Sequence, residues 1–154
     1  MDIQLDFATL VGLAGDASAS LVMTRLRDRG HDARRSHGYI IQRLLVEQPT
    51  IGELASTLGM TQQGASKHVS ELERLGYVER VPDSADNRVR RVRLTYRGNE
   101  LVDAARSVRA DIDAALADRV TPSELAATRR VLLEVLSLAG ATDRVSRRAA
   151  QPPG

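Results

Sequence analysis

The sequence predicts a mainly α-helical chain with one small β-hairpin, an α+β fold, and three observations carry that reading. Apolar residues recur at helical spacing over six stretches of the 154-residue chain. The period shortens to two only between Tyr77 and Thr95. Aromatic residues are confined to Phe7, Tyr39, Tyr77 and Tyr96, so Leu, Val, Ile and Ala must fill most of the core. The length fits one domain with helical extensions, and 42% hydrophobic content is enough for a buried core without covalent staples.

The first helix is expected over 5–29, where Leu10, Leu13, Ala14, Ala17, Leu21 and Met23 recur near helical spacing and Gly30 ends the run. Residues 31–37 are polar and basic and read as a connection. A second helix over 37–47 carries Ile40, Ile41, Leu44 and Leu45, and Pro49 closes it by disfavouring helical backbone at the residue before it. Thr50-Ile51-Gly52-Glu53 is a capping box, in which hydroxyl and carboxylate each satisfy the other residue's backbone N–H. The short helix that follows places Ile51, Leu54, Ala55 and Leu58 on one face and stops at Gly59. Thr61 can cap the next helix, 62–75, with Ala65, Val69, Leu72 and Leu75 in one stripe and Gly76 at its left-handed end.

Strands are expected over Tyr77–Val81 and Val89–Thr95, the second with Val92 and Leu94 on one face and Arg91, Arg93 and Thr95 on the other. The turn-forming run from Pro82 to Arg88 joins them. Leu101, Ala105, Val108, Ile112 and Leu116 mark a helix over 97–118. Thr121-Pro122-Ser123-Glu124 is a second capping box that opens a last helix to about 139, carrying Leu125, Leu132, Val135, Leu136 and Ala139. The tail 141–154 is basic and Pro-rich, a composition expected to be disordered. No internal repeat is present.

A short capped helix, a tight turn containing Gly, a longer amphipathic helix and a hairpin follow one another without interruption. That order is a helix-turn-helix followed by a wing, here over 37–96. The first helix fixes the angle of the second, whose polar face remains free to enter a DNA major groove and read base edges. The outward residues of that helix are Gln62, Gln63, Ser66, Lys67, Ser70 and Arg74, with Thr61 and His68 nearby. Glutamine can pair bidentately with adenine, and no carboxylate occurs over 61–70 to repel a phosphate backbone. Gly64 costs about 1 kcal/mol relative to Ala inside a helix; it fits either close approach to a DNA backbone or packing on the preceding helix.

Net charge is only +2, but its distribution is uneven. Residues 1–24 carry three acids and no Lys or Arg, whereas residues 80–97 carry six Arg against Asp83 and Asp86. A basic stripe on a nearly neutral chain points to an anionic partner. At the wing tip Arg88 is suited to the negative potential of a narrow minor groove, with Asp86 placed to orient its guanidinium. Arg90, Arg91 and Arg93 are candidates for phosphate contacts, at least one of them merely solvated.

Other classes find little support. With no cysteine, disulfide scaffolds, thiolate metal sites and thiol switches are excluded. His31, Asp32 and His37 match no standard metal-ligand spacing, so no metal and no cofactor is expected. There is no nucleophile elbow, Walker loop or dinucleotide fingerprint, hence no enzyme. No uninterrupted apolar run approaches the roughly 20 residues of a membrane span, and the acidic N-terminus does not match a secretory leader. A winged helix that binds protein instead of DNA calls for an apolar or acidic recognition face, which this sequence lacks.

The stretch from Thr50 to Gly98 resembles the multiple-antibiotic-resistance regulator (MarR) family of bacterial transcription factors. The resemblance lies in Leu75-Gly76-Tyr77-Val78-Glu79-Arg80, in the wing Asp83-x-x-Asp86-x-Arg88, and in Leu94-Thr95-x-x-Gly98. Flanking helices in matching order extend it over roughly residues 5–140. It implies a cytoplasmic homodimer whose N- and C-terminal helices, 1–30 and 97–140, interlock, and a double-stranded operator of two-fold symmetry. It also implies a wing arginine at Arg88 supported by Asp86. Most such proteins repress, and many release DNA on binding a small phenolic or lipophilic effector; His37 and Tyr39 fall near the expected pocket. Ile3, Leu5 and Phe7 before the first helix and Leu132, Val135, Leu136 and Leu138 in the last are expected to form an isologous dimer interface.

Overall fold

The computed structural model describes residues 5–143. Ile3 and nearly all of the 141–154 tail lie outside that range. Six α-helices and one hairpin follow the predicted order: α1 (Phe7–Asp28), α2 (Gly38–Leu44), α3 (Ile51–Leu58), α4 (Gln62–Arg74), β1 (Val78–Pro82), β2 (Arg90–Leu94), α5 (Tyr96–Ala117) and α6 (Pro122–Leu138). A 3-10 turn over Arg35–His37 leads into α2. The chain divides into two compact units, one up to Val108 and one from Arg109 onward.

In the first unit, the core gathers where α2, α3, α4 and the hairpin meet. Ile40, Leu54, Ala65, Val69, Leu72, Tyr77 and Val92 are fully buried. The stripe Ala65-Val69-Leu72 is the apolar face read from the sequence, and it holds α4 against this core. Both ends of α3 form as expected: Thr50 and Glu53 exchange side-chain-to-backbone bonds of 3.2 and 2.8 Å, and Gly59 adopts the left-handed conformation at φ 65°. The hairpin pairs Val78 with Leu94 and Pro82 with Arg90, antiparallel. It gains a third edge contact because Val92 N–H donates to the Pro49 carbonyl at 2.8 Å. The wing is thereby anchored to the segment that opens α3.

The junction between β2 and α5 is the tightest in the fold. Thr95 N–H donates to the Tyr77 carbonyl, the Thr95 hydroxyl donates to the Gly76 carbonyl, and Gly98 N–H donates to Thr95 Oγ1. A Cβ built at Gly98 would lie 2.1 Å from the Tyr77 carbonyl oxygen. Only glycine permits this approach. Beneath it, the Tyr77 hydroxyl accepts from Asp32 N–H and lies 3.2 Å from His31 Nδ1. Arg97 stacks over the ring at 5.1 Å. His31 and the backbone of Asp32 are thus partners of Tyr77.

The apolar stripe of α1 faces solvent in the single chain: Leu10, Leu13 and Leu21 are exposed, and the buried residues are Val22 and Leu26. Periodicity marks the helix but does not say which surface covers the stripe. Residues 7–28 also form a helix long and apolar enough to cross a membrane by length and composition. Counting uninterrupted apolar runs had missed it, because Asp16 breaks the run without breaking the helix. Asp16 pairs with Arg35 at 2.9 Å, at the turn that leads into α2.

In the second unit, the Thr121–Glu124 capping box forms as predicted. α6 nevertheless buries no residue. Val131, Leu132 and Leu133 are exposed, and Leu138 is 89% exposed.

Candidate nucleic-acid interface

Helix α4 is positioned at its start by Thr61, whose Oγ1 accepts from Gly64 N–H at 3.0 Å. Thr61 therefore serves first as a cap. Beyond it the helix presents Gln62, Gln63 and Lys67 as exposed side chains, with Ser66 half-buried. Gly64 would meet nothing within 4 Å but the Thr61 hydroxyl if it carried a Cβ, so packing on α3 does not require it. At Gly52 of α3 a Cβ would meet Gln62 Nε2 at 3.0 Å.

The wing differs from its sequence reading in who holds whom. Asp86 does not orient the Arg88 guanidinium; its Oδ1 accepts from the Arg88 backbone N–H at 2.9 Å, an Asx turn that shapes the tip. Asp83 does comparable work one turn earlier, its Oδ1 accepting from the N–H groups of Ala85 and Asp86. Its other oxygen pairs with Arg91 Nε. Arg91 is also bonded to the Gln48 carbonyl at 2.9 Å and lies 3.4 Å from Glu53. Arg91, a candidate phosphate contact in the sequence, is thus already paired within the fold. Arg93 is paired across the strands with Glu79 at 2.8 Å, and Arg80 bonds Ser70 on α4. Among the described residues, Lys67, Arg88 and Arg90 make no side-chain hydrogen bond or ion pair. These three cations remain available to an external anion.

The electrostatics of the wing follow from these contacts. The Arg91 hydrogen bond, then the N–H groups of Ala85 and Asp86, hold the Asp83 carboxyl below its usual range. Arg91 is raised in turn, chiefly by Asp83.

His37, Tyr39 and His68 are placed differently from one another. Tyr39 is 65% exposed. His37 is fully buried and points at α4. Its Nδ1 accepts from Arg34 N–H at 3.1 Å, and its Nε2 lies 3.1 Å from Glu71 Oε2. His68 is turned away from a groove-facing position. Its ring meets that of His37 edge-on at 5.9 Å, and its Nδ1 is buried without a partner.

His37, His68 and Glu71 bring three potential metal-ligand atoms within 4.8 Å of one another. Two features oppose a cation there. The Arg34 N–H occupies the Nδ1 lone pair, which leaves the ring proton on Nε2, where a metal would have to bind. The Arg34 guanidinium already neutralises Glu71 at 2.9 Å. The donor set has the right elements and the wrong polarity behind it. Burial pushes His37 down, and the Glu71 hydrogen bond and charge offset this only in part. This His–Glu contact joins residues 34 positions apart, and no sequence pattern signalled it.

A helix that presents glutamines and a lysine, followed by a clamped wing with free arginines at its tip, invites comparison with known proteins. Residues 35–88 match the family model described as the MarR family. Most of the chain superposes on solved structures. A MepR variant from S. aureus aligns with a TM-score of 0.71 at 20% identity, over 88% of this chain and 99% of that one. The two share a winged-helix fold. MarR from E. coli in its reduced form gives 0.67 at 21% identity, over 86% and 97% of the two chains. FabT from Streptococcus pneumoniae, solved in complex with DNA, gives 0.66 at 21%, over 88% and 98%. No curated protein matches. The family segment runs from the 3-10 turn through α3 and α4 to Arg88, so it contains Gln62, Gln63, Lys67 and Arg88 but not Arg90, Arg91 or Arg93.

Proposed function

We propose that this chain is a sequence-specific double-stranded DNA-binding transcription regulator of the MarR type, a cytoplasmic homodimer that acts as a repressor. The observation that carries the reading is the division of the basic residues. Arg80, Arg91 and Arg93 are bound within the protein, and Lys67, Arg88 and Arg90 are left without partners on α4 and the wing. A fold that ties down some arginines and leaves others free at two protruding elements suits a duplex, with α4 in the major groove and Arg88 in the minor groove. FabT in complex with DNA and a MepR variant bound to an oligodeoxyribonucleotide share this fold and support the reading.

The dimer is supported by the large apolar side chains that one chain leaves exposed on α1 and, separately, on α6. Pairing two copies about a two-fold axis would cover it and place two reading heads on a palindromic operator. Release by a small lipophilic or phenolic effector fits the family, with exposed Tyr39 and buried His37 as the candidate residues.

The test is fluorescence anisotropy with the DNA upstream of the protein's own gene. Specific binding, tighter than to shuffled DNA by about 10³-fold or more and falling steeply with salt, is the expected result. Equal affinity for both sequences, or none, would overturn the reading.

A further inference from the structure

We propose that Glu71 is a positioning residue for the recognition helix, tying α4 to the turn ahead of α2 through His37 and Arg34, and that proton uptake by His37 opens the tie. The proposal rests on the DNA-binding reading above and extends it to residues that no DNA contact requires.

The geometry is a closed ring of interactions. The Arg34 backbone N–H donates to His37 Nδ1, His37 Nε2–H donates to Glu71 Oε2, and Glu71 Oε1 receives the Arg34 guanidinium at 2.9 Å. One residue of the turn thus grips both ends of the chain of contacts. The aliphatic stripe Ala65-Val69-Leu72 presses α4 onto the core, but smooth apolar contacts tolerate small rotations and slides. Directional bonds in a buried site do not. Glu71 lies one helical turn beyond Lys67, so a rotation of α4 that breaks this tie also redirects Gln63 and Lys67.

The tie is proton-sensitive for a structural reason. A second proton on His37 must sit on Nδ1, facing the Arg34 N–H, and the bond that caps the 3-10 turn would then be lost. The charged groups that face His37 are Glu71 and His68 from α4 and Arg34 from the turn, with Arg74 acting on Glu71 from the next turn of α4. Burial, His68 and Arg34 disfavour the charged ring; Glu71 favours it. His68 stands beside the ring at 5.9 Å between centroids, so a charge on His37 has a second imidazole as its near neighbour.

The experiment measures operator affinity of the full-length protein from about pH 5 to 8 for wild type, Glu71→Gln, Glu71→Ala and Arg34→Ala. Histidine side-chain NMR and thermal unfolding are recorded on the same samples. The wild type should lose affinity on acidification as His37 titrates. Glu71→Ala should bind about tenfold more weakly at neutral pH, with the salt dependence unchanged because no phosphate contact is removed. Glu71→Gln, which still accepts from Nε2–H, should restore part of that affinity and shift the His37 titration downward. Affinity of Glu71→Ala within about threefold of wild type, or a shallower salt slope, would overturn the proposal. Should Glu71→Ala unfold, Arg34→Ala decides the matter, because Arg34 is exposed and its loss leaves the core intact. Failure of the wild type to bind any DNA would sink the DNA-binding reading instead. The tie is then judged by the amide shifts of residues 62–74: no change on Glu71→Gln would overturn it too.

Discussion

Asp83 and Arg91 clamp the two strands of the wing to each other, and the same arginine reaches the Gln48 carbonyl ahead of α3. The clamp engages Arg91 within the protein while fixing the loop that carries Arg88. Position in a basic stripe therefore does not say which arginine is already paired.

Salt dependence separates the two classes of cation. Arg88→Ala should weaken operator binding by about 1–3 kcal/mol, and Lys67→Ala and Arg90→Ala should each flatten the slope of log affinity against log salt by about 1. Arg91→Ala should leave that slope unchanged while raising hydrogen exchange across the wing. Anisotropy titrations at several salt concentrations check all four.

The capping box of α3 should matter in proportion to its two bonds. Thr50→Ala removes the acceptor for Glu53 N–H and should cost about 0.5–2 kcal/mol in urea unfolding. Thr50→Ser, which keeps the hydroxyl, should recover most of it.

Substituting Gly98 tests the junction between hairpin and helix. A methyl group 2.1 Å from the Tyr77 carbonyl oxygen cannot be accommodated without moving β1 or α5. Gly98→Ala should destabilise by about 3 kcal/mol or more, or prevent folding, whereas Gly12→Ala, with open space around it, should not destabilise. Thermal unfolding of the two variants side by side gives the contrast.

Acid should weaken the fold through two histidines. His37 and His31 are both held below 6.5, in each case first by burial. The folded state then binds fewer protons than the unfolded one, so their contribution is complete above about pH 6.5 and declines as pH falls through the depressed values. Urea midpoints should drop between about pH 7 and 5 in the wild type, and less in a His37→Gln variant that still folds.

Size-exclusion chromatography with light scattering should give twice the 16.8 kDa chain mass. Deleting residues 121–154 should leave a monomeric or insoluble species, and a stable, DNA-binding truncated dimer would count against the role given to α6.

What the sequence made legible was what is local. Thr50 with Glu53, Thr61 before α4, Gly59 and Gly76, and the alternation around Val92 each specify structure within a few residues, and each forms as expected. The helix stripes were legible as periodicity, but their burial was not: Leu10 and Leu13 keep helical spacing, yet the single chain leaves them open. Side-chain partners fared worst. Asp86 bonds a backbone amide where a guanidinium was expected, Asp83 takes Arg91 across the hairpin, and His37 finds Glu71 from 34 residues away. Such pairings depend on how elements dock, which spacing along the chain does not encode.

The missing side chain at Gly98 also has a mechanical meaning. With the backbone of α5's first turn seated directly on the Tyr77 carbonyl, and Thr95 bridging Gly76 and Gly98, there is no compressible layer between helix and hairpin. A tilt of that turn must carry β1, and with it the arginines at the wing tip, as one solid lever.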